Sequence, residues 1–537
     1  MNRNFLLVAV CALVVTACSA TPQEPPQQPP QVPGITFIHL NDTYRVGAVE
    51  DGTAGGFGRV VTLVRELQAE GRDVRILHGG DFLYPSLESQ LWNGMQIVDA
   101  FNFMDAMAPM YVVAGNHEFD PRTPDHLIDA VRASNFDWVG DNYRFATGDE
   151  DVDQALHEQF MFEAGDRKIG IFGLLLHASE GGSDRDYVPT QPEYFEHAKR
   201  AIKALDRAGA DLIIGLAHLH LWTDLEIAEL RAEYPRFMFI AGGHEHEPEY
   251  SELQVDRAAV MKGASNARKV WRIDVSFDSD GMPAIDAQIV NLDASVHPDA
   301  EYARIDEKWR GRLLERFPFL TARVGEAAVP LDAREVTSRN QESNWGNFIV
   351  DQMRGAFGKP HADLAFINGG TLRIDDYIIG DITFEDIGRT FGYSSYLRHM
   401  TMTGSEFLAV LEAGYRGTGP SKGYFPQVSG FRVCVDRSRP EGERIVSLQV
   451  PKGEDWQEIE DEREYGVVVS DFLYRGGDGY AFPANREASR PGSELVYLVL
   501  DAIISAQAEG RAIGAPVDPV NPRIVILENP GEVCWPE

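Results

Sequence analysis

A chain of 537 residues is too long for one core and, at about 150 residues per domain, divides into roughly three or four units, or two large α/β domains with additions. Its composition, 44% hydrophobic, 10% aromatic and 25% charged, is that of a folded soluble enzyme and excludes a disordered, collagenous or multi-spanning membrane protein. Lys and Arg number 49 against 83 Asp and Glu, and the resulting net charge of −34 argues against a nucleic-acid polymer as partner. A small anionic substrate requires bound cations or local arginines to reverse that potential.

At the N-terminus, Arg3 precedes an apolar run from Phe5 to Ala17 that has the length of an export-signal core and is too short to span a bilayer. The run ends in Val15-Thr16-Ala17-Cys18, small residues with a cysteine just after the cut, which resembles the bacterial lipoprotein box. That resemblance implies a signal peptide over 1–17 and a lipid on Cys18. With Ser19 following instead of an Asp retention signal, it implies an outer-membrane destination facing the periplasm or cell surface. Residues 18–34 form a Pro-rich tether reaching roughly 45 Å at about 3.1 Å per residue. With Cys11 cleaved off and Cys18 acylated, Cys434 and Cys534 remain. In an oxidising compartment they are a candidate disulfide pinning the C-terminal tail, two free thiols being the alternative.

From Ile35 onward short β-rich runs alternate with amphipathic helices: Val74 to Leu77, a helix over Leu91 to Met107, Tyr111 to Ala114, Lys168 to Leu175, a helix from about Pro192 to Ala208, Leu212 to Leu216, and Phe237 to Ile240. Between His297 and Phe317, Tyr302, Ile305, Trp309 and Leu313 recur at near-helical spacing. They predict a linker helix over 297–318 between a domain at 35–296 and a second α/β domain at 319–537. Ligand sites of open α/β sheets lie in strand-end turns.

Five such turns in the first half carry metal-ligand residue types. They are His39-Leu40-Asn41-Asp42-Thr43-Tyr44, Gly79-Gly80-Asp81, Gly115-Asn116-His117-Glu118-Phe119-Asp120, Ala217-His218-Leu219-His220 and Gly242-Gly243-His244-Glu245-His246. One alone means little, because a strand-end Asp is usually a cap and a lone His a satisfied hydrogen-bonder. Five in succession are different. Carboxylate, amide oxygen and imidazole suit Mn, Zn, Fe or Co, and a shared carboxylate can hold two ions about 3.5 to 4 Å apart for phosphoester hydrolysis. A general acid must not itself be a ligand, and His117, with Asp120 three residues on to orient it, fits that separate role.

The set resembles the calcineurin-like metallophosphoesterases, and specifically their 5′-nucleotidase branch. The resemblance implies an α/β fold in which an N-terminal four-layer α/β/β/α metallophosphoesterase sandwich is joined by a helix to a C-terminal α/β nucleotide-binding domain. It implies two divalent metal ions, Mn, Zn, Co or Fe, with Asp42 and His246 on one, Asp81 bridging, and Asn116, His218 and His244 on the other. His117 and Asp120 would be the catalytic dyad, and His220 has no role in the pattern. The family usually has a His where Tyr44 stands. Tyr44 itself coordinates or holds a water that does, Tyr84 of Gly80-Asp81-Phe82-Leu83-Tyr84 substitutes as in purple acid phosphatases, or neither binds.

In the second half, Asn368-Gly369-Gly370-Thr371-Leu372-Arg373 places an Arg where phosphate can be gripped bidentately. Ser343-Asn344-Trp345-Gly346-Asn347 resembles the family's Asn-x-Gly-Asn helix start, with Arg339 near the position of a family Arg. Phe425-Pro426-Gln427-Val428-Ser429-Gly430 and Gly476-Gly477-Asp478-Gly479-Tyr480 resemble two loops whose aromatics sandwich the nucleobase. By resemblance Asn368, Arg373, Phe425, Tyr480, Asp478 and Arg339 bind substrate. The expected activity is a lipid-anchored 5′-nucleotidase that releases phosphate from extracellular or periplasmic nucleotides for scavenging. The alternatives are a 2′,3′-cyclic nucleotide phosphodiesterase, a nucleoside-diphosphate-sugar pyrophosphatase, or a surface binding lipoprotein impaired by the Tyr44 replacement.

Overall fold

In the computed structural model, which describes residues 34–178, 184–358, 362–417, 422–529 and 532–535, the strand-rich first half forms two sheets packed face to face. Cys18, the signal segment and the tether lie outside the described residues. One sheet has seven strands. Pro283–Asn291 and Lys269–Phe277 run antiparallel at one edge, followed by the parallel set Ile35–Leu40, Val74–His78, Met110–Val112, Asp137–Val139 and Leu156–His157. The other has six: Glu249–Ser251, Ala259–Lys262, Phe237–Gly242, Leu212–His218, Arg167–Leu175 and Gln159–Ala164. Every residue of Ile35–Leu40 and of Leu212–His218 is buried, as central strands covered on both faces require.

Phe37 meets Phe239 edge-on between the sheets, at 5.9 Å. Helices Phe57–Ala69, Met95–Asp105 and Asp125–Ala133 cover one outer face, and Tyr194–Arg207 and Leu221–Ala228 the other, giving the four layers expected. The expected single helix over Leu91 to Met107 is two, Leu87–Trp92 and Met95–Asp105. Asn93 and Gly94 sit in the left-handed region at φ 53° and 78° and break it. A Cβ on Gly94 would come within 2.7 Å of Leu83 Cδ2.

The parallel strands point their C-terminal ends the same way, so their turns converge on one rim. Asp42 N donates to Gly80 O at 2.9 Å, Gly243 N to Ala217 O at 2.9 Å, and His39 Nε2 reaches Gly242 O at 2.9 Å across the two sheets. All this follows from pairing: once Ile38 lies beside Ile76, and Ile214 beside Phe239, the residues after each strand must meet.

Helix Ala303–Arg316 follows the first half and buries Trp309 and Leu313. Trp309 Nε1 donates to Asp99 Oδ2 at 2.9 Å, fastening it to the first half, while Arg310 pairs with Glu385 of the second. The second half is built on two four-stranded sheets. One orders Leu397–Thr403, Glu464–Ser470, Leu364–Asn368 and Pro426–Ser429, the other Asp455–Glu458, Ile445–Lys452, Arg432–Asp436 and Ile524–Leu527. Cys434 and Cys534 are disulfide-bonded with Cα atoms 5.5 Å apart, which ties the tail to the second sheet. Among the described residues no helix is long and apolar enough to cross a membrane.

Candidate active site at the junction of the two halves

Glu118 shapes the centre of the rim. Its fully buried carboxylate accepts backbone N–H from Asp81 at 2.9 Å, Phe82 at 2.6 Å and Leu83 at 2.9 Å, and also from Gly115. It therefore bolts the Gly79-Gly80-Asp81 turn to the Gly115-Asn116-His117 turn. Burial and the neighbouring Asp81 charge raise its pKa to about 7.

Asp42, Asp81, His244 and His246 all have positive φ, of 53°, 60°, 87° and 62°. Strain of this kind is held by surrounding bonds and clusters at functional sites. Asp42 Oδ2 accepts from Asn41 Nδ2 at 2.7 Å and from His244 N at 2.8 Å; Asp81 Oδ1 accepts from His117 N at 2.8 Å. The remaining oxygens face inward. Ligand atoms of Asp42, Asp81 and His218 lie within 4.8 Å of one another, all three residues being buried. His218 Nδ1 is spent on Gly79 O at 2.7 Å, which aims Nε2 at Asp81 Oδ2, 3.2 Å away but not aligned as a hydrogen bond.

The electrostatics are those of a cation pocket. Burial lowers the pKa of His218, but Asp81 outweighs it and raises the group to about 10. Burial likewise works against the Asp81 anion, yet His218 and His117 hold its carboxyl well below the usual carboxylate range. His244 is pushed well below the ordinary imidazole value by burial and by His220 and His218.

The structure brings Tyr44 to the same point. Its hydroxyl is 3.3 Å from Asp42 Oδ1, 3.3 Å from Asp81 Oδ2 and 3.0 Å from His246 Nε2. Burial and the two carboxylates push the phenol pKa well up. Tyr84 is placed elsewhere: its hydroxyl donates to Asn93 Oδ1 at 3.1 Å and its ring packs on His126. His220 stacks on Trp222 at 4.1 Å and meets His244 edge-on at 4.6 Å.

His117 and Asp120 are paired, Nδ1 to Oδ2 at 2.8 Å, with Nε2 turned toward Asp81 Oδ2 at 3.9 Å. Burial depresses the imidazole pKa, but Asp120 and Asp81 more than offset it and the net shift is upward.

The second half closes over this rim with polar groups. Arg373 Nη2 lies 3.3 Å from His117 Nε2, and its guanidinium sits between the rings of Tyr44 and Tyr393 at 5.7 and 5.5 Å. Arg373 Nε and Nη1 are buried without hydrogen-bond partners among the described residues. Glu335 Oε2 is 2.6 Å from His246 Nδ1, and Arg339 pairs with Glu335. Tyr393 Oη contacts Asp120 Oδ2 at 2.8 Å. Around them, Asp375 accepts from Asn266 Nδ2 at 3.0 Å and Arg389 grips Glu88 at 2.6 and 3.2 Å. Glu335 and Tyr393 carried no motif, and no sequence signal marked them.

The two aromatics expected to clamp a base are not at the cleft surface. Phe425 is 2% exposed and packs edge-on against Tyr415; Tyr480 is fully buried against Phe366, its hydroxyl donating to Tyr424 O at 2.6 Å. Both belong to the core of the second half because each is drawn inward by strand or turn geometry that sequence does not reveal. Asn368 and Asp478 are joined at 2.7 Å, and Arg339 is committed to Glu335.

Against this geometry, residues 35–248 match the calcineurin-like phosphoesterase model and residues 323–485 the 5′-nucleotidase C-terminal domain model. The chain belongs to the 5′-nucleotidase family. A trifunctional nucleotide phosphoesterase protein, YfkN, of Bacillus subtilis is 26% identical over 507 residues, covering 86% of this chain and 33% of its own length, so the chain spans about a third of that relative. The 5′-nucleotidase of Bos taurus is 23% identical over 515 residues, 88% of each chain. In three dimensions the 5′-nucleotidase precursor from Thermus thermophilus superposes with a TM-score of 0.77 at 24% identity, over 92% of this chain and 100% of that one, which shows the shared fold. The family's phosphoesterase domain and its C-terminal domain thus correspond to the two halves whose junction holds the polar centre.

Replacing Glu118 by Ala strands buried backbone N–H groups, each worth about 1 to 3 kcal/mol when unsatisfied. The expected result is a clear drop in the melting temperature of the metal-free protein, read by calorimetry. An unchanged melting temperature would show that the two turns hold without it.

Proposed function

We propose that the protein is a divalent-metal-dependent 5′-nucleotidase that releases phosphate from exported-compartment nucleotides, tethered to a membrane through lipidated Cys18. The observation that carries this reading is Arg373, a buried cation from the second half, with two unpartnered nitrogens, delivered beside His117 at the rim of the first. Such a group matches an anionic phosphoryl oxygen. It also sets one positive charge at the rim of a chain whose net charge is −34.

The donor set fits metal ions: two inward carboxylates and the buried His218 Nε2, which has no hydrogen-bond partner. In this reading Asp42, His246 and Tyr44 would hold one ion and Asn116, His218 and His244 the other, with Asp81 serving both. Tyr44 stands in for the family's histidine, because its hydroxyl already lies among Asp42, Asp81 and His246. Divalent ions there would supply Lewis acidity, polarising phosphoryl oxygens and lowering the pKa of a water.

The chain's own residues do the rest. Arg373 draws the phosphate against the rim. His117, whose pKa Asp120 and Asp81 raise against burial, is the group that gives its Nε2 proton to the departing nucleoside oxygen. Asp120 holds Nδ1–H and so fixes the ring. Glu335 accepts a hydrogen bond from His246 Nδ1 and so turns Nε2 toward the pocket, the second partner a ligating histidine needs. The linked pair Asn368 and Asp478 offers polar groups near Arg373 for the sugar.

A panel of nucleoside 5′-monophosphate, 2′,3′-cyclic nucleotide, nucleoside-diphosphate sugar and a small aryl phosphate tests the activity on metal-reconstituted protein. The monophosphate is expected to be turned over best, with Arg373→Ala reducing kcat/KM by about 10- to 10³-fold; a preference for another panel member would replace the reading. Elemental analysis tests the ligand set. Asp81→Ala should lose more metal than Asp42→Ala, and His117→Ala should retain metal while losing turnover by about 10² to 10⁴-fold. Iron-loaded protein should show a phenolate charge-transfer band that Tyr44→Phe abolishes; a colourless iron-loaded protein would remove Tyr44 from the set. For the anchor, Cys18→Ala should shift the expressed protein out of the detergent phase, and unchanged partitioning would sink the lipid claim.

A further inference from the structure

Tyr393 belongs to no motif of the second half, yet it meets the two residues of the first half that handle the proton. Its hydroxyl lies 2.8 Å from Asp120 Oδ2 and 2.9 Å from His117 Nδ1, closing a triangle whose third side, Nδ1 to Oδ2, is 2.8 Å. The phenol is kept neutral, its pKa driven well up by burial and by Asp120, so it has one proton to give. Asp120, a carboxylate, can only accept. The phenol therefore donates to Asp120 Oδ2, and its oxygen lone pair faces the same Nδ1–H that the carboxylate holds. Two acceptors on one N–H restrict the imidazole in rotation and in tautomer, and Nε2 is left pointing to the Asp81 and Arg373 side.

We propose that Tyr393 is a positioning residue for the His117–Asp120 proton donor, supplied from the opposite half of the chain, so that the dyad is complete only when the two halves are closed. The inference rests on the reading of His117 as the donor in phosphate-monoester hydrolysis. In that step the oxygen of water bonds to phosphorus, and the ester P–O bond breaks with its electron pair moving to the leaving oxygen. That oxygen takes the proton from His117 Nε2. Tyr393 touches neither reacting atom; it acts by holding the ring that does.

The turn bearing Tyr393 is fastened without its hydroxyl. Gln90 Nε2 donates to Gly392 O at 2.6 Å, the preceding helix Phe384–Thr390 holds Glu88 through Arg389, and the Tyr393 ring keeps its place under Arg373. Tyr393→Phe therefore removes the dyad contact and leaves the closed arrangement otherwise supported.

The test compares wild type and Tyr393→Phe on a nucleoside monophosphate, whose alkoxide leaving group needs a proton, and on p-nitrophenyl phosphate, whose leaving group does not. The expected result is about a tenfold loss of kcat on the nucleotide, KM within about twofold, and little change on the aryl ester. In the His117→Ala background the second substitution should cost nothing further, because residues acting as a unit are not additive. Equal losses on both substrates, a loss confined to KM, or an additive double variant would overturn the proposal, since each describes a contact that merely closes the cleft. A substrate-free readout separates it from the nucleotide reading. In 15N-histidine-labelled protein the Nδ1 proton of His117, assigned by its absence in His117→Ala, should shift in Tyr393→Phe, and an unmoved resonance rejects the role. Wild type inactive on every nucleotide would reject the nucleotide reading and leave this resonance to decide on Tyr393.

Discussion

Glu118 converts two separate strand ends into one surface. Four backbone N–H groups converge on its carboxylate, and those groups belong to the two turns that carry Asp81 and His117. The left-handed Asp81 depends on this arrangement, because an L-residue at φ 60° is stable only when its neighbours hold it. The turns can approach so closely only because residue 115 is glycine: a Cβ there would stand 2.1 Å from Asp81 Oδ1. From Asp81 the consequences spread outward. Its Oδ1 is spent on the His117 backbone, so its other oxygen faces His218 and Tyr44, and the inner carboxylate edge of the pocket is set by a hydrogen bond to the neighbouring turn.

Among the described residues, charge and hydrogen-bond contacts join the two halves. Glu335 on His246, Asp375 on Asn266, Arg389 on Glu88 and Tyr393 on Asp120 all cross the junction. Polar contacts of this kind re-form in water at little net cost. Each half keeps its own hydrophobic core.

Much of the rim was legible in sequence because metal and phosphate chemistry restrict residue type, and strand ends restrict position. Asp42, Asp81, His218, His244 and His246 could be read turn by turn, and the parallel pairing then brought them together. What stayed hidden was contributed from far along the chain. Glu335 reaches His246 across 89 residues and Tyr393 reaches Asp120 across 273, and no local pattern records such a meeting. Phe425 and Tyr480 failed for another reason. A Gly-rich setting identifies a turn, but side-chain direction follows from backbone conformation and packing, which draw both rings into the core. The break at Asn93-Gly94 was legible, since that dipeptide favours left-handed turns, but the apolar spacing of Leu91 to Met107 concealed it.

Two phenols flank the Arg373 guanidinium, and they face opposite kinds of chemistry. Tyr44 points into the carboxylate pocket, where an imidazole would offer a lone pair without first losing a proton; a phenol offers a strong ligand only after deprotonation, which buried carboxylates oppose and cations favour. Tyr393 points at the His117–Asp120 pair, where a neutral phenol gives a hydrogen bond to Asp120. Arg373, held over both rings, is favoured by each aromatic face while its unpartnered nitrogens stay available. The same cation therefore sits where the Tyr44 oxygen and the His117 ring both sense its charge, and moving it would alter phenol and imidazole ionisation together. That coupling follows from geometry, and Arg373 joins Glu335 and Tyr393 as residues through which the second half touches the rim of the first.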